Sequence, residues 1–173
     1  MRVGVLTGGG DCPGLNAVIR AVTKSLIQHG HCDVVGIEDG FQGLMEDQPR
    51  VRSLKWDDVA GILHTGGTIL RTSNSANPLR DEATSEQVAR NAKALGVDVL
   101  VVIGGDGTMS LAHALHQRTG LHSVGVPKTI DNDIASCERS FGFDTAVATA
   151  TDALRRIEST GNSHHRVMIV ETM

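Results

Sequence analysis

At 173 residues, the chain is long enough for one α/β domain with a real core, burying roughly 70% of its unfolded surface. Its formal net charge of −4 argues against a broad nucleic-acid or polyanion surface. No stretch approaches the ~20 apolar residues of a membrane span, and the opening MRVGVLTGGG lacks the long apolar run of a signal peptide. Aromatic residues make up 2% and tyrosine is absent, so aliphatic side chains must fill the core. Cys12, Cys32 and Cys137 form no C-x-x-C pair. They indicate neither a disulfide framework nor a zinc site, and fit reduced thiols in the cytoplasm.

Val3 to Leu6 reads as a short buried strand, followed by a glycine loop from Thr7 to Pro13. Leu15, Val18, Ile19, Val22 and Leu26 then recur at helical spacing, with Gly30 as the stop. Asp33 to Ile37 reads as a second strand. Residues 38 to 80 are rich in Gly, Asn, Asp and Ser. They predict loops, a short strand near Val51 and a helical turn from Asp57. Glu86 to Leu95 reads as a helix. Val97 to Ile103 is a β-branched and aliphatic run, the mark of a strand buried on both faces. Met109 to Gln117 predicts a helix, and His122 to Val126 a strand. Phe143, Val147, Ala150, Leu154 and Ile157 step by four and three along a long helix. Val167 to Val170 reads as a closing strand. Because the sequence stops on that apolar run, we expect an amino-terminal piece of a longer chain.

This alternation predicts an α/β three-layer sandwich, Rossmann-like, with a mostly parallel sheet and helices on both faces. Ligands in such sheets sit beyond the carboxyl ends of the strands. Three chemistry-bearing loops fall there. In Thr7-Gly8-Gly9-Gly10-Asp11, consecutive glycines let the backbone approach a ligand, and the helix amino terminus near Gly14 favours an anion. Neither the dinucleotide nor the P-loop fingerprint is met, so a bare connecting turn is an even competitor. In Gly104-Gly105-Asp106-Gly107-Thr108, an acid between glycines can reach a Mg²⁺ that bridges phosphate oxygens, and the competing reading is a helix cap. In Pro127-Lys128-Thr129-Ile130-Asp131-Asn132-Asp133, paired carboxylates beside a Lys and a Thr can supply a base for transfer to a hydroxyl. Taken singly this is an Asx-rich turn; at a strand end beside the two glycine loops it is a site. His164 and His165 have no third ligand at metal spacing, and Arg166 is a surface arginine unless it holds a phosphate.

The sequence resembles the ATP- or pyrophosphate-dependent 6-phosphofructokinases. The matching segments are GVLTGGGDCPGLNAVIR (Gly4 to Arg20), DGFQGL (Asp39 to Leu44), GGT (Gly66 to Thr68), GGDGT (Gly104 to Thr108), PKTIDND (Pro127 to Asp133), FGFDTA (Phe141 to Ala146) and SHHRVMIVETM (Ser163 to Met173). Their order and spacing run from Gly4 to Met173, essentially the whole chain. GGDG alone is shared with NAD kinases and lipid kinases, whereas its combination with T-I-D-N-D is highly specific.

The resemblance implies the amino-terminal domain of a two-domain enzyme. Residues 1–173 would be a donor-binding α/β domain with part of the sugar-phosphate site, and would be inactive and poorly stable alone. The reaction implied is Mg²⁺-dependent phosphorylation of the fructose 6-phosphate 1-hydroxyl by ATP, in the cytoplasm, by a homo-oligomer (dimer or tetramer). Asp131 is then the proton acceptor. Thr129, Ile130, Asp133, Arg166 and Met173 belong to the sugar-phosphate site, with Arg166 reaching a neighbouring subunit. Gly10, Gly105, Asp106, Gly107, Thr108 and Asn74 surround the donor, and Asp106 directs the metal. Gly107 favours ATP, because pyrophosphate users commonly carry Asp there. Lys128 points towards pyrophosphate. Asn74 stands where many relatives have an arginine on the ATP phosphates, a departure that Arg71 or Arg80 would offset. The alternatives are the pyrophosphate-dependent reaction and a non-catalytic nucleotide-binding subunit.

Overall fold

The computed structural model describes residues 1–172; Met173, assigned above to the sugar site, lies outside the described residues. The elements run β1 (Arg2–Thr7), α1 (Leu15–Gly30), β2 (Asp33–Ile37), α2 (Gln42–Met45), β3 (Val51–Ser53), a 3₁₀ turn (Ile62–His64), α3 (Glu82–Ala94), β4 (Val99–Gly104), α4 (Asp106–Thr119), β5 (Ser123–Thr129), β6 (Phe141–Gly142) and α5 (Phe143–His164). The six strands form one sheet in the order β3-β2-β1-β4-β5-β6. All neighbours are parallel except β2 and β3.

The alternation along each strand sorts side chains onto two faces. Leu6, Val35, Ile37, Leu100 and Val102 meet Leu44, Val88, Ala92, Ala112 and Leu115 of α2, α3 and α4. Val5, Val34 and Ile103 point the other way, against Leu15 and Ile19 of α1 and against Leu54, Val59 and Leu70. β1 and β4 are thus covered on both sides, which is why their sequences read as continuous apolar runs.

Three differences from the sequence reading have physical causes. Helix α3 starts at Glu82, before the predicted Glu86, because Asp81 caps it: its Oδ1 accepts the Thr84 N–H at 2.7 Å. The hydrogen bonds from Thr84 hold the Asp81 carboxyl down to about 2, below its ordinary value, with Arg80 adding to the effect. Strand β6 has two residues, too few for any periodicity, and owes its existence to pairing with Lys128 and Thr129. Finally, Val167 to Val170 is not a strand. Val167 and Ile169 are each 90% exposed, and a doubly buried strand needs paired neighbours that this segment lacks among the described residues. Helix α5 likewise leaves Val147 and Leu154 exposed.

Candidate active site

In the sheet order, the chain leaves β1 towards β2 on one side and returns to β4 on the other. The carboxyl ends of β1 and β4 are therefore a topological switch point, where α/β sheets bind ligands. The loop after β1 and the loop after β4 meet here. The Gly8 N–H donates to the Ile103 carbonyl at 2.9 Å. Thr108, buried in the first turn of α4, fills the space between the loops. A Cβ on Gly8 would come within 2.7 Å of Thr108 Cγ2, and one on Gly104 within 2.6 Å of the same atom. Glycine is required at both positions by this close approach.

The first glycine loop is held from two further sides. Thr72 donates its hydroxyl to the Gly9 carbonyl, and the Gly9 N–H donates to the Ser73 carbonyl at 3.2 Å. From β5, the Lys128 ammonium donates to the Gly10 carbonyl. Lys128 is only 8% exposed, so this contact is shielded from water and stronger than a surface one. Next to it, burial pushes the Cys12 thiol up, against the opposing pull of Lys128. Cys12 therefore remains a packing thiol.

These contacts shape a cleft of about 290 Å³ lined by Gly9, Gly10, Gly105, Asp106, Gly107, Thr108, Lys128, Thr129, Asp131 and Asp133. The three loops singled out in the sequence thus converge. Asp106 is the first residue of α4 and stays exposed; its Oδ1 accepts the Gly107 N–H at 2.7 Å. Asp131 is also exposed. Its N–H donates to Thr129 Oγ1 at 3.1 Å, and the same hydroxyl lies 3.5 Å from Asp131 Oδ2.

A second cavity of about 380 Å³ adjoins the first at Gly9, Gly107 and Thr108, and adds Gly8, Phe41, Ser73, Asn74, Ala76 and Leu111. It is mostly apolar, with hydroxyl and amide groups from Ser73 and Asn74. Phe41 is buried in the core and also walls this cavity. An elongated ligand can lie across the two cavities with its anionic part on the amino end of α4. A Cβ placed on Gly107 would meet nothing within 4 Å, so this residue keeps the passage between them open.

Some residues fall elsewhere. Ile130 packs on the core beside Gly142 and is not among the residues lining the cleft. Arg166 is exposed just beyond α5, its N–H bonded to the Gly161 carbonyl at 2.9 Å, and is also outside the cleft lining. Arg80 is occupied by Asp81 and Thr84. Sequence reasoning missed Ser140, which is 2% exposed and donates its hydroxyl to the Thr129 carbonyl at 2.8 Å. No local pattern marks it.

The carboxylates of Asp106, Asp131 and Asp133 are hard oxygen donors, the kind Mg²⁺ takes. Among the described residues no group of three His, Cys, Asp or Glu forms a ready-made metal cage. Mg²⁺ is commonly held by one or two carboxylates together with phosphate oxygens and water, and Asp106 lies within the second glycine loop.

A model of the family described as "Phosphofructokinase" matches residues 2–173. The chain is 50% identical over its whole length to an ATP-dependent 6-phosphofructokinase 2 of Streptomyces coelicolor, and 48% identical to a pyrophosphate–fructose 6-phosphate 1-phosphotransferase of the same organism, covering 50% of each. It therefore spans about half the length of the curated relatives it matches. Among solved structures, the phosphofructokinase from Saccharomyces cerevisiae superposes with a TM-score of 0.83 at 32% identity, over 94% of this chain and 24% of that one. The fold, the cleft at the switch point and the match over residues 2–173 agree, and the chain belongs to the phosphofructokinase family.

Proposed function

We propose that the full-length protein is a 6-phosphofructokinase that transfers the γ-phosphoryl group of ATP to the 1-hydroxyl of fructose 6-phosphate, a glycolytic step of the cytoplasm. The observation that carries this reading is the single cleft shared by the donor loops, Asp106 and Asp131. Asp131 accepts the proton of the 1-hydroxyl as its oxygen bonds to the γ-phosphorus and the bond to the β-phosphate oxygen breaks, releasing ADP. Thr129 fixes Asp131, and Asp133 supports the same wall. Backbone amides of the Gly8–Gly10 loop and of Gly105–Thr108 orient the donor phosphates. Asp106 would hold Mg²⁺, which neutralises charge on the transferring oxygens. Nucleotide and ribose extend into the cavity with Phe41 and Asn74. Residues 1–173 act as the donor-binding domain with part of the sugar site. Arg166 serves the sugar phosphate of a neighbouring subunit, which makes the protein a homo-oligomer. Asp131→Asn in the full-length enzyme should lower turnover by at least ~100-fold, and near-normal turnover would refute the assignment.

A second reading keeps the reaction and exchanges ATP for pyrophosphate. Lys128 favours it, because an ammonium in the cleft suits a compact leaving group. Open space at Gly107 favours ATP, since it leaves room for the rest of a nucleotide. Rates with ATP and with pyrophosphate on the full-length enzyme separate the two.

A further inference from the structure

Asp131 is exposed, and the bonds given to it above come from Thr129 alone. A carboxylate that must meet a hydroxyl in a defined geometry is positioned to within about 0.5 Å by what stands behind it. Its backbone is therefore the place to look for the restraint.

Behind Asp131 the chain makes a tight return. Asn132 lies in the left-handed region at φ 54°, where Asn is one of the few tolerated side chains. Its Oδ1 accepts the Ser140 N–H at 2.8 Å. Ser140 Oγ donates to the Thr129 carbonyl at 2.8 Å. Thr129 Oγ1 in turn accepts the Asp131 N–H at 3.1 Å. Ser140 is 2% exposed, so its own two bonds are shielded from competing water. It directly precedes Phe141, whose strand pairs with Lys128 and Thr129. The loop of residues 130–139 is thus closed at its base onto the rigid edge of the sheet, and Asp131 and Asn132 sit at that base.

We propose that Asn132 and Ser140 form a clasp that sets the position of Asp131, making both of them positioning residues for the phosphoryl transfer. The inference rests on the proposed function. It goes beyond that function in assigning the geometry of the base to two residues that are not among those lining the cleft. Asn132 contributes twice: it supplies the positive φ that turns the chain, and the acceptor that closes the clasp.

Two variants of the full-length enzyme test the two side-chain bonds of the clasp one at a time. Ser140→Ala removes the hydroxyl. Asn132→Gly keeps the left-handed turn, which glycine adopts freely, but deletes the acceptor. Each should lower kcat by about 10- to 100-fold, the scale of a base displaced by about 1 Å. The KM for the donor should stay within about twofold, because the clasp does not reach the glycine loops. Ser140→Thr, which retains the hydroxyl, should recover most of kcat. Wild-type kcat in both deletion variants overturns the inference, as does a rise in donor KM at constant kcat. Loss of folding in both also overturns it, since the clasp would then hold the fold and not the base. A wild-type enzyme inactive with both ATP and pyrophosphate would instead overturn the functional reading, and the clasp's role with it.

Discussion

Lys128, near the end of β5, donates from Nζ to the carbonyl oxygen of Gly10 in the loop that follows β1. The bond spans β4, the strand between them, and ties the two outer walls of the cleft together. It also brings a buried cation to the cleft that Asp106, Asp131 and Asp133 line. Lys128 is thereby a brace for the first glycine loop, and in the proposed function its further N–H groups meet the donor phosphate.

Lys128→Met should therefore act on donor binding first. Deleting a charge-assisted bond of this kind removes about 1.5–3 kcal/mol, so the donor KM should rise roughly 10- to 100-fold with a smaller effect on the KM for fructose 6-phosphate. Steady-state kinetics of the full-length enzyme measure this, and equal shifts in both KM values would contradict the brace.

Gly107 offers a test of donor choice with little risk to folding, because an added Cβ there meets nothing within 4 Å. Gly107→Asp puts a carboxylate into the passage between the two cavities. Like charges brought together cost several kcal/mol, so use of ATP should fall by about 100-fold or more in kcat/KM. Use of pyrophosphate, which stays within the smaller cleft, should not fall in parallel. Unchanged ATP kinetics would show that the nucleotide takes another route.

The packing of Thr108 between the glycine loops predicts a specific rescue. Gly8→Ala drives its methyl to 2.7 Å from Thr108 Cγ2 and should destabilise by about 1–3 kcal/mol, as overpacking does. Thr108→Ser deletes that Cγ2. The double variant should recover part of the loss, a coupling of neighbours that thermal melting detects. Strict additivity of the two substitutions would contradict the contact.

Asp81 predicts a pH effect on α3. Its folded value of about 2 lies below the ordinary 3.8, because hydrogen bonds from Thr84 favour the charged form. The cap therefore stabilises fully above about pH 4 and is lost as pH falls towards 2. Asp81→Ala should melt earlier than wild type at pH 6, and the difference should shrink on acidification. A gap that is constant from pH 6 to pH 2 would exclude the capping role.

Much of this architecture is legible in one dimension. The unbroken apolar run Val99 to Ile103 announces β4, because a strand covered on both faces carries few polar positions. Leu15, Ile19, Val22 and Leu26 announce α1 by their spacing. The three loops declare themselves together: each alone reads equally as a turn or a helix cap, but all three fall at the carboxyl ends of strands, where α/β sheets bind ligands. Less legible were the two-residue β6 and the partnership of Asn132 with Ser140, separated by a loop of ordinary polar residues. Val167 to Val170 misled for the converse reason: a strand-like composition forms a strand only where paired neighbours exist, and pairing is not a local property.

Composition, periodicity and the glycine-acid loops by themselves determined the α/β class, the approximate elements and the side of the sheet that carries chemistry, because each of these follows from a chain segment's own residues. Only the tertiary structure decided which loops share a cleft, that Lys128 braces Gly10, that Gly107 keeps a passage open, and that Ser140 ties back to Thr129 and Asn132 on either side of Asp131. Those are distances between segments far apart in sequence, set by strand order and side-chain packing, and no single segment encodes them.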